Sequence, residues 1–310
     1  MLTFQEDFSL KTITTLGIGG PAKQFIAVKT PEDLKEALSF AKTNNLESLF
    51  IGGGSNLLVS DEGVEKVVIK NEIKGITQEG MTLKVKSGTP LQELVNYSIE
   101  HNLAGLQKLT GIPGTVGGAV FGNAGAYGQS ISDHLTQVQT LSSEGEKSFS
   151  KNQCEFEYRS SIFKKNHFPI LEIIFTLTEG GRETMKKEAQ ETLKQREIKY
   201  PSGIRCPGSF FKNLVVTELT KEVLDKIPEE KIVYGKVPAG ALLEEIGARG
   251  MEKGAIEIAP YHANLFINRG NGTAKDFYEL AKDVALKVKE RFGISLEPEV
   301  QLINLPPSGE

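Results

Sequence analysis

The spacing of apolar positions changes repeatedly along the chain, and each change predicts a switch between helix and strand. Helices are predicted at 31–45, 90–102 and 273–293, with a long polar helix at 182–200. Short apolar runs predict strands at 23–29, 64–70, 81–88, 134–145, 154–163, 169–180 and 295–304. The order of these elements favours mixed α+β domains over a repeating βαβ chain.

Two glycine-rich segments interrupt this pattern. Three glycines at 52–54 break an apolar strand predicted at 47–59. Glycines let the backbone approach a ligand and present successive N–H groups to a phosphate, although a plain turn explains them equally well. The segment 111–128 has seven glycines and no regular period, which predicts a long loop. Loops of this length are often functional, and the alternative is a surface Ω-loop.

Four polar positions are candidates for chemistry. In CPGSFFKN, residues 206–213, Ser209 lies between a glycine and two phenylalanines, which suits either a buried strand start or a hydroxyl aimed at a ligand. Arg159 ends a predicted strand, as a surface cation or as a fixed charge for a developing oxyanion. Glu297 and Glu299 share one face of the last predicted strand, where spacing alone favours an exposed acidic rim.

Composition limits the possible functions. The chain has 310 residues, 39% apolar and 25% charged, which is enough for two or three globular domains. A net charge of −4 argues against general nucleic-acid binding, and four scattered histidines argue against a metal site. Two cysteines indicate a reducing compartment. Neither a signal peptide nor an apolar run of ~20 residues is present, so we expect a cytoplasmic protein.

Five stretches in a fixed order resemble one enzyme family. They are IGGGSNLLV, GIPGTVGGAVFGNAGAYG, YRSSIF, GSFFKN and LEPEV. Together they are similar to UDP-N-acetylenolpyruvoylglucosamine reductase, a flavoenzyme family of peptidoglycan precursor synthesis. The similarity runs from TTLGIGGPA near the start to PEVQLI near the end, so it covers nearly the whole chain. Each motif alone is weak, whereas five in order are specific.

The resemblance implies a fold and a reaction. The fold is α+β, with an FAD-binding domain of the vanillyl-alcohol-oxidase (PCMH) type in two lobes, 1–75 and 76–200, and a C-terminal α+β substrate-binding domain, 201–310. The cofactor is non-covalent FAD, and NADPH is the hydride donor. The substrate is a small nucleotide sugar, UDP-N-acetylglucosamine-enolpyruvate, which is reduced to UDP-N-acetylmuramate.

The resemblance also implies roles for individual residues. Ser209 donates a proton to the substrate C2, while Arg159 and Glu299 stabilise the enol or enolate. The residues expected to bind FAD are Gly52, Gly53, Gly54, Ser55, Asn56, Thr115, Gly122, Asn123, Gly125 and Tyr127. Those expected to bind the substrate are Tyr158, Lys212 and Asn213.

Two positions depart from the family pattern. Leu214 stands where proline is frequent, and Pro207 stands where alanine is common. The interval between Arg159 and Ser209 is short, so we expect the branch without the extra loop that carries a uridine-binding tyrosine.

Two other functions share parts of this pattern. One is a related flavin oxidase that uses O₂ on a sugar or alcohol, although no histidine or cysteine that could tether a flavin occurs at 52–56 or 111–128. The other is a non-catalytic nucleotide-sugar-binding protein. We expect a monomer that binds neither nucleic acid nor a membrane.

Overall fold

The structure is a computed structural model that describes residues 2–142 and 145–306. Contacts between residues divide the chain into two compact units. The first unit is formed by Met1–Phe8, Ala22–Gly54 and Glu65–Ile198, and the second by Ser9–Pro21, Ser55–Val64 and Lys199–Glu310. The predicted separation of two lobes at residue 75 stays a prediction.

The described residues form eight α-helices and twenty strands. The α-helices are α1 Pro31–Thr43, α2 Leu91–Glu100, α3 Val116–Phe121, α4 Ile162–Asn166, α5 Arg182–Lys199, α6 Lys221–Leu224, α7 Ala239–Glu245 and α8 Ala274–Phe292. The strands are β1 Gln5–Ser9, β2 Pro21–Val28, β3 Ser48–Ile51, β4 Leu57–Val59, β5 Val64–Asn71, β6 Ile76–Glu79, β7 Thr82–Lys86, β8 Leu103–Ala104, β9 Gly125–Ala126, β10 Gln129–Ser130, β11 Leu135–Ser142, β12 Gly145–Ser150, β13 Ile170–Thr176, β14 Thr178–Glu179, β15 Leu214–Val215, β16 Lys236–Val237, β17 Glu252–Lys253, β18 Ile256–Ile258, β19 Phe266–Asn268 and β20 Gln301–Ile303.

The first unit is built on two sheets. One has the strand order β1-β2-β5-β3, and α1 packs on its core through the buried Leu34, Ala37 and Ala41. The other is a five-stranded sheet of order β12-β11-β13-β7-β6, in which each neighbouring pair is antiparallel. Helices α2 and α3 share the core of this second sheet. The packing of α2 and α3 on this sheet therefore holds in place the segments that connect the two helices to its strands.

The second unit packs two helices around small sheets. Strands β17, β18 and β19 form an antiparallel sheet, and β20 pairs with β4 in parallel. The core contains α7, α8 and four fully buried aromatic rings, Phe210, Phe211, Phe266 and Phe277. Helix α8 begins at Thr273, whose hydroxyl accepts the backbone N–H of Asp276 at 3.0 Å.

The longest predicted helices are confirmed within two residues at each end. Helices α1, α2, α5 and α8 correspond to the predictions at 31–45, 90–102, 182–200 and 273–293. Helix α1 begins with a capping box, in which Thr30 and Asp33 each accept a backbone N–H of the other. Cap residues with a regular apolar stripe are strong local signals.

Three predictions are wrong. The segment 111–128 is not all loop, because α3 lies inside it; the two glycines of the helix at 117 and 118, and the C-cap at Gly122, obscure a buried face formed by Val116, Ala119 and Val120. The segment 154–163 is not a strand, because Glu155 and Arg159 have positive φ angles of 46° and 55°. Only Gln301–Ile303 is strand in the last predicted one.

Candidate active site

The two glycine-rich segments touch each other in the first unit. A Cβ at Gly52 would overlap the Thr115 hydroxyl, and a Cβ at Gly53 would lie 2.6 Å from the Cα of Gly114. Real Cβ atoms do not approach other atoms so closely, so a side chain at 52 would displace that of Thr115, and one at 53 would push the two backbones apart. The boundary between the two units follows directly, between Gly54 and Ser55.

Thr115 connects this contact to α3. Its hydroxyl accepts the backbone N–H of Gly118 at 3.3 Å and is the N-cap of the helix. Gly122 closes the same helix as its C-cap. Two of the predicted cofactor-binding residues therefore also terminate a helix that the sequence did not predict.

Arg159 lies in a tight turn that is tied to the segment 123–125. Glu157 and Ser160 exchange backbone hydrogen bonds across the turn, each 3.2 Å long. The Arg159 Nη2 group donates to the carbonyl of Gly125 at 2.9 Å, and Nη1 donates to the carbonyl of Asn123 at 3.4 Å. The structure thus brings the predicted catalytic arginine together with the predicted cofactor segment.

Asn123 adds a further hydrogen bond to this junction between the turn at 157–160 and the segment 123–125. Its Nδ2 group donates to the carbonyl of Glu157 at 2.8 Å. Its Oδ1 atom is buried and finds no hydrogen-bond partner within residues 2–142 and 145–306. A buried acceptor of this kind requires an explanation, and a donor on a bound molecule provides one.

Two tyrosines flank the junction. Tyr127 and Gly128 form the turn of the β9–β10 hairpin, with φ angles of 51° and 80° that match the two-residue turns of tight hairpins. The Arg159 guanidinium lies 5.3 Å from the centre of the Tyr158 ring. Both tyrosines are half-buried, so each keeps part of its surface exposed to solvent.

In the second unit, Ser209 follows a glycine with a φ angle of 89° at position 208. Few residues other than glycine adopt this conformation, and it turns the chain into the segment that follows. Ser209 then pairs with Leu265 in an isolated antiparallel bridge. Its side chain is half-buried, whereas Phe210 and Phe211 are at most 1% exposed. The two rings anchor the segment in the core and leave the hydroxyl near the surface.

Asn264 holds this segment by its backbone. Its Oδ1 accepts the N–H of Phe211 at 2.9 Å, and its Nδ2 donates to the carbonyl of Phe211 at 2.8 Å. The Asn264 carbonyl also accepts the N–H of Phe210 at 3.0 Å. The asparagine is only 2% exposed, so these bonds are shielded from water. Nothing in the sequence pattern singled it out.

Glu299 lies on the strand-like segment beside Phe210. Its N–H donates to the carbonyl of Phe210 at 2.7 Å. Its own carbonyl accepts Nδ2 of Asn56 at 3.1 Å. The structure therefore brings Ser209 and Glu299 onto adjacent backbone segments, and it gives Asn56 a contact with the backbone of a predicted catalytic residue.

Two of the predicted substrate-binding residues, Lys212 and Asn213, have protein partners. Lys212 Nζ forms an ion pair with Glu297 at 3.0 Å, and the Glu297 side chain is 72% exposed. Asn213 Oδ1 accepts the N–H of Ala239 at 3.2 Å, at the start of α7. Lys212 can exchange an exposed carboxylate for a phosphate, because such pairs are worth little in water.

A tyrosine that sequence reasoning missed lies beside Ser209. The Tyr200 hydroxyl is 2.9 Å from the Ser209 hydroxyl. The ring of His262 lies edge-on to the Tyr200 ring, with 6.2 Å between their centres. Burial, and to a smaller extent the positive charge of Lys199, lowers the pKa of His262 to about 4, so its imidazole is neutral at pH 7.

Comparison with known proteins identifies the family. The family described as UDP-N-acetylenolpyruvoylglucosamine reductase, C-terminal domain, matches residues 200–303, and the FAD binding domain family matches residues 22–147. A UDP-N-acetylenolpyruvoylglucosamine reductase of Solibacter usitatus is 38% identical over 297 residues, with 95% of each chain covered. This chain belongs to the UDP-N-acetylenolpyruvoylglucosamine reductase family.

Further members of this reductase family match along the same length. UDP-N-acetylenolpyruvoylglucosamine reductase 2 of Bacillus cereus is 35% identical over 301 residues, covering 96% of this chain and 92% of the relative. The crystal structure of the reductase from Thermus caldophilus covers 98% of this chain and 100% of its own, with a TM-score of 0.79 and 30% identity. The predicted family and fold class are confirmed.

The residues of the first unit fit an FAD group. An oxidised flavin ring carries an N–H donor, which suits the buried and unpaired Oδ1 atom of Asn123. The glycines at 52–54 leave backbone without side chains in the way, as a diphosphate requires. The roles of individual residues stay predictions.

Each helix of the described ranges is too short or too polar to cross a bilayer.

Proposed function

We propose that this chain reduces UDP-N-acetylglucosamine-enolpyruvate to UDP-N-acetylmuramate, with Ser209 as the proton donor and with Arg159 and Glu299 as stabilising groups. Family membership supports the reaction, its FAD cofactor and its place in peptidoglycan precursor synthesis. The observation that carries the residue assignment is the backbone hydrogen bond between Glu299 and Phe210, which places Ser209 and Glu299 on adjacent segments.

Bound FAD supplies the hydride chemistry, and NADPH is the external hydride donor. Hydride addition at C3 of the enolpyruvyl group leaves negative charge at C2 that spreads into the carboxylate. Arg159 opposes that charge with a permanent cation, held in place by the carbonyls of Asn123 and Gly125.

Ser209 returns a proton to C2. A serine hydroxyl is a poor acid in water, but a carbanion is a strong base, so transfer needs position more than acidity. Gly208 and the buried Phe210 fix where the hydroxyl lies. Glu299 stabilises the enol if it carries or shares a proton, since an ionised glutamate would repel the substrate carboxylate.

The remaining assignments follow from the same proposal. Lys212 binds the substrate diphosphate after it leaves Glu297, and Asn213 supports the loop beside it through the start of α7. Tyr158, whose ring lies beside the Arg159 guanidinium, contacts the substrate. The cytoplasmic location, the monomeric state and the shorter branch of the family also stay predictions, and light scattering of the purified protein tests the monomer.

The test separates the two halves of the reaction. Purified protein should be yellow, and Ser209→Ala should still be reduced by NADPH while its re-oxidation by substrate slows about 10²–10⁴-fold, because only the second half needs the proton. Stopped-flow flavin absorbance measures both halves. Ser202→Ala, an exposed serine seven residues earlier, is the matched control and should behave as wild type.

Three outcomes would contradict the proposal. A Ser209→Ala variant that is re-oxidised at the wild-type rate removes the proton-donor role. A colourless protein that binds UDP sugars in calorimetry indicates a binding module instead. Oxygen consumption with a sugar or alcohol, in the absence of NADPH, indicates an oxidase.

A further inference from the structure

Tyr200 places a second hydroxyl against the predicted proton donor. The two oxygen atoms, Tyr200 Oη and Ser209 Oγ, lie 2.9 Å apart, and either can be the donor. Both side chains are half-buried, so the pair lies at the edge of the core. A distance of this length is ordinary for a hydrogen bond between hydroxyls and permits direct proton transfer.

The Tyr200 ring is held by an apolar cluster. It packs with Ile204 against Cys206, Ala259, Leu265 and Ile267, which are all buried. Leu265 is also the bridge partner of Ser209. Leu265 therefore belongs to the cluster that orients the phenol ring and also pairs with the backbone of Ser209. These two contacts fix the geometry of the two hydroxyls.

The buried titratable groups beside the ring, His262 and Cys206, are neutral at pH 7. The ring of His262 meets that of Tyr200 edge-on, and burial together with the charge of Lys199 lowers the pKa of His262 to about 4. Burial raises the pKa of the Cys206 thiol, partly offset by a backbone hydrogen bond from Gly208. Lys199, which is exposed and precedes Tyr200 in the chain, is the charged neighbour.

We propose that Tyr200 supplies the proton that Ser209 passes to the substrate. This inference rests on the proposed function. As the new C2–H bond forms, the O–H bond of Ser209 breaks, and the Ser209 oxygen takes the proton of Tyr200. The resulting tyrosinate is re-protonated by water. Tyr200 thus acts through Ser209 as a relay and positioning residue and does not touch the reacting carbon.

Acidity explains why a relay is useful. A serine alkoxide left behind by proton transfer is a strong base, and its formation opposes the reaction. A phenol is a much stronger acid than an aliphatic alcohol, with a typical pKa of ~10. A proton from Tyr200 therefore neutralises the alkoxide as it develops, and the charge spreads over the ring. No other side chain is needed for the transfer.

The first experiment removes the hydroxyl and keeps the ring. In the FAD-bound Tyr200→Phe variant, we expect reduction by NADPH at the wild-type rate and re-oxidation by the enolpyruvyl substrate slowed about 10–100-fold. Tyr234→Phe is the control, since that side chain is 78% exposed. Equal re-oxidation rates in wild type and Tyr200→Phe would overturn the relay.

A second readout follows the protons themselves. Re-oxidation of wild type in mixtures of H₂O and D₂O should give a curved dependence on deuterium content, because two protons move in one step, and Tyr200→Phe should give a straight line. A linear wild-type dependence contradicts the proposal without any variant.

A third readout needs no turnover. With ¹³C at the tyrosine ring carbon that bears oxygen, the Tyr200 signal should change its chemical shift in Ser209→Ala, because the hydrogen bond to the Ser209 hydroxyl is lost. If wild type lacks flavin or turnover, the proposed function fails and the relay with it. If wild type turns over but the Tyr200 signal is unchanged in Ser209→Ala and the re-oxidation rate is unchanged in Tyr200→Phe, only the relay fails.

Discussion

The two units hold their candidate site residues by different means. In the first unit, Arg159 and Asn123 are fixed by backbone carbonyls of tight turns, and glycines let the backbones at 52–53 and 114–115 meet. In the second unit, Ser209 is carried by a segment whose two phenylalanines fill an aromatic core. A buried amide, Asn264, then closes the backbone of that segment.

This difference has a physical basis in what each residue must do. A binding surface for a large planar cofactor needs exposed backbone, and turns with positive φ angles provide it where side chains would interfere. A proton donor must instead stay within a few tenths of an ångström of its position, and a close-packed core supplies that rigidity. Substitutions in the two units should therefore fail in different ways.

The largest effect is expected for Asn264→Ala in the second unit. It removes both side-chain bonds to Phe211 and leaves a buried N–H and C=O unpaired, which should lower the free energy of unfolding by about 2–4 kcal/mol. Urea unfolding followed by circular dichroism measures it, since the chain has no tryptophan. Asn271→Ala, at an exposed position, should stay within about 0.5 kcal/mol of wild type. Equal stability of the two variants would refute the role of the buried amide.

A smaller effect is expected for Gly53→Ala in the first unit. The new Cβ would lie 2.6 Å from Gly114 Cα, so the two loops must separate at a cost of about 1–3 kcal/mol. We expect loss of bound flavin before loss of fold, measured as flavin fluorescence released on heating. Gly118→Ala is the matched control, because its nearest neighbour lies at 3.5 Å. Retention of flavin to the wild-type temperature would show that the loop contact is not needed.

The smallest effect concerns His262 and pH. Its pKa of about 4 in the folded protein lies below the ordinary value of 6.5, so the unfolded chain takes up the proton first as the pH falls. This group therefore lowers the free energy of unfolding as the pH falls from about 6.5 to about 4. The loss between pH 7 and pH 5 is about 1–2 kcal/mol. His262→Gln should show a correspondingly shallower loss of stability in urea unfolding at the two pH values. The same loss in both proteins would mean that His262 is protonated in the fold.

Local signals explain which parts of the fold were predictable. Helices α1 and α8 were predictable from their N-caps, Thr30 and Thr273, and from their regular apolar stripes. Helix α3 did not, because glycines carry no periodic signal and its cap, Thr115, lies in a segment that resembles a loop. The turn at Arg159 was missed because a positive φ angle outside glycine leaves no mark in composition.

By itself, the sequence determined the family, the reaction class and the candidate residues Ser209, Arg159 and Glu299, because ordered motifs survive without coordinates. Only the tertiary structure decided which groups support them. Asn264 lies 53 positions after Phe211, and Tyr200 lies 9 positions before Ser209. Neither spacing predicts a hydrogen bond. Hydrogen bonds depend on distances of about 3 Å in space, which the spacing of residues along a chain does not specify.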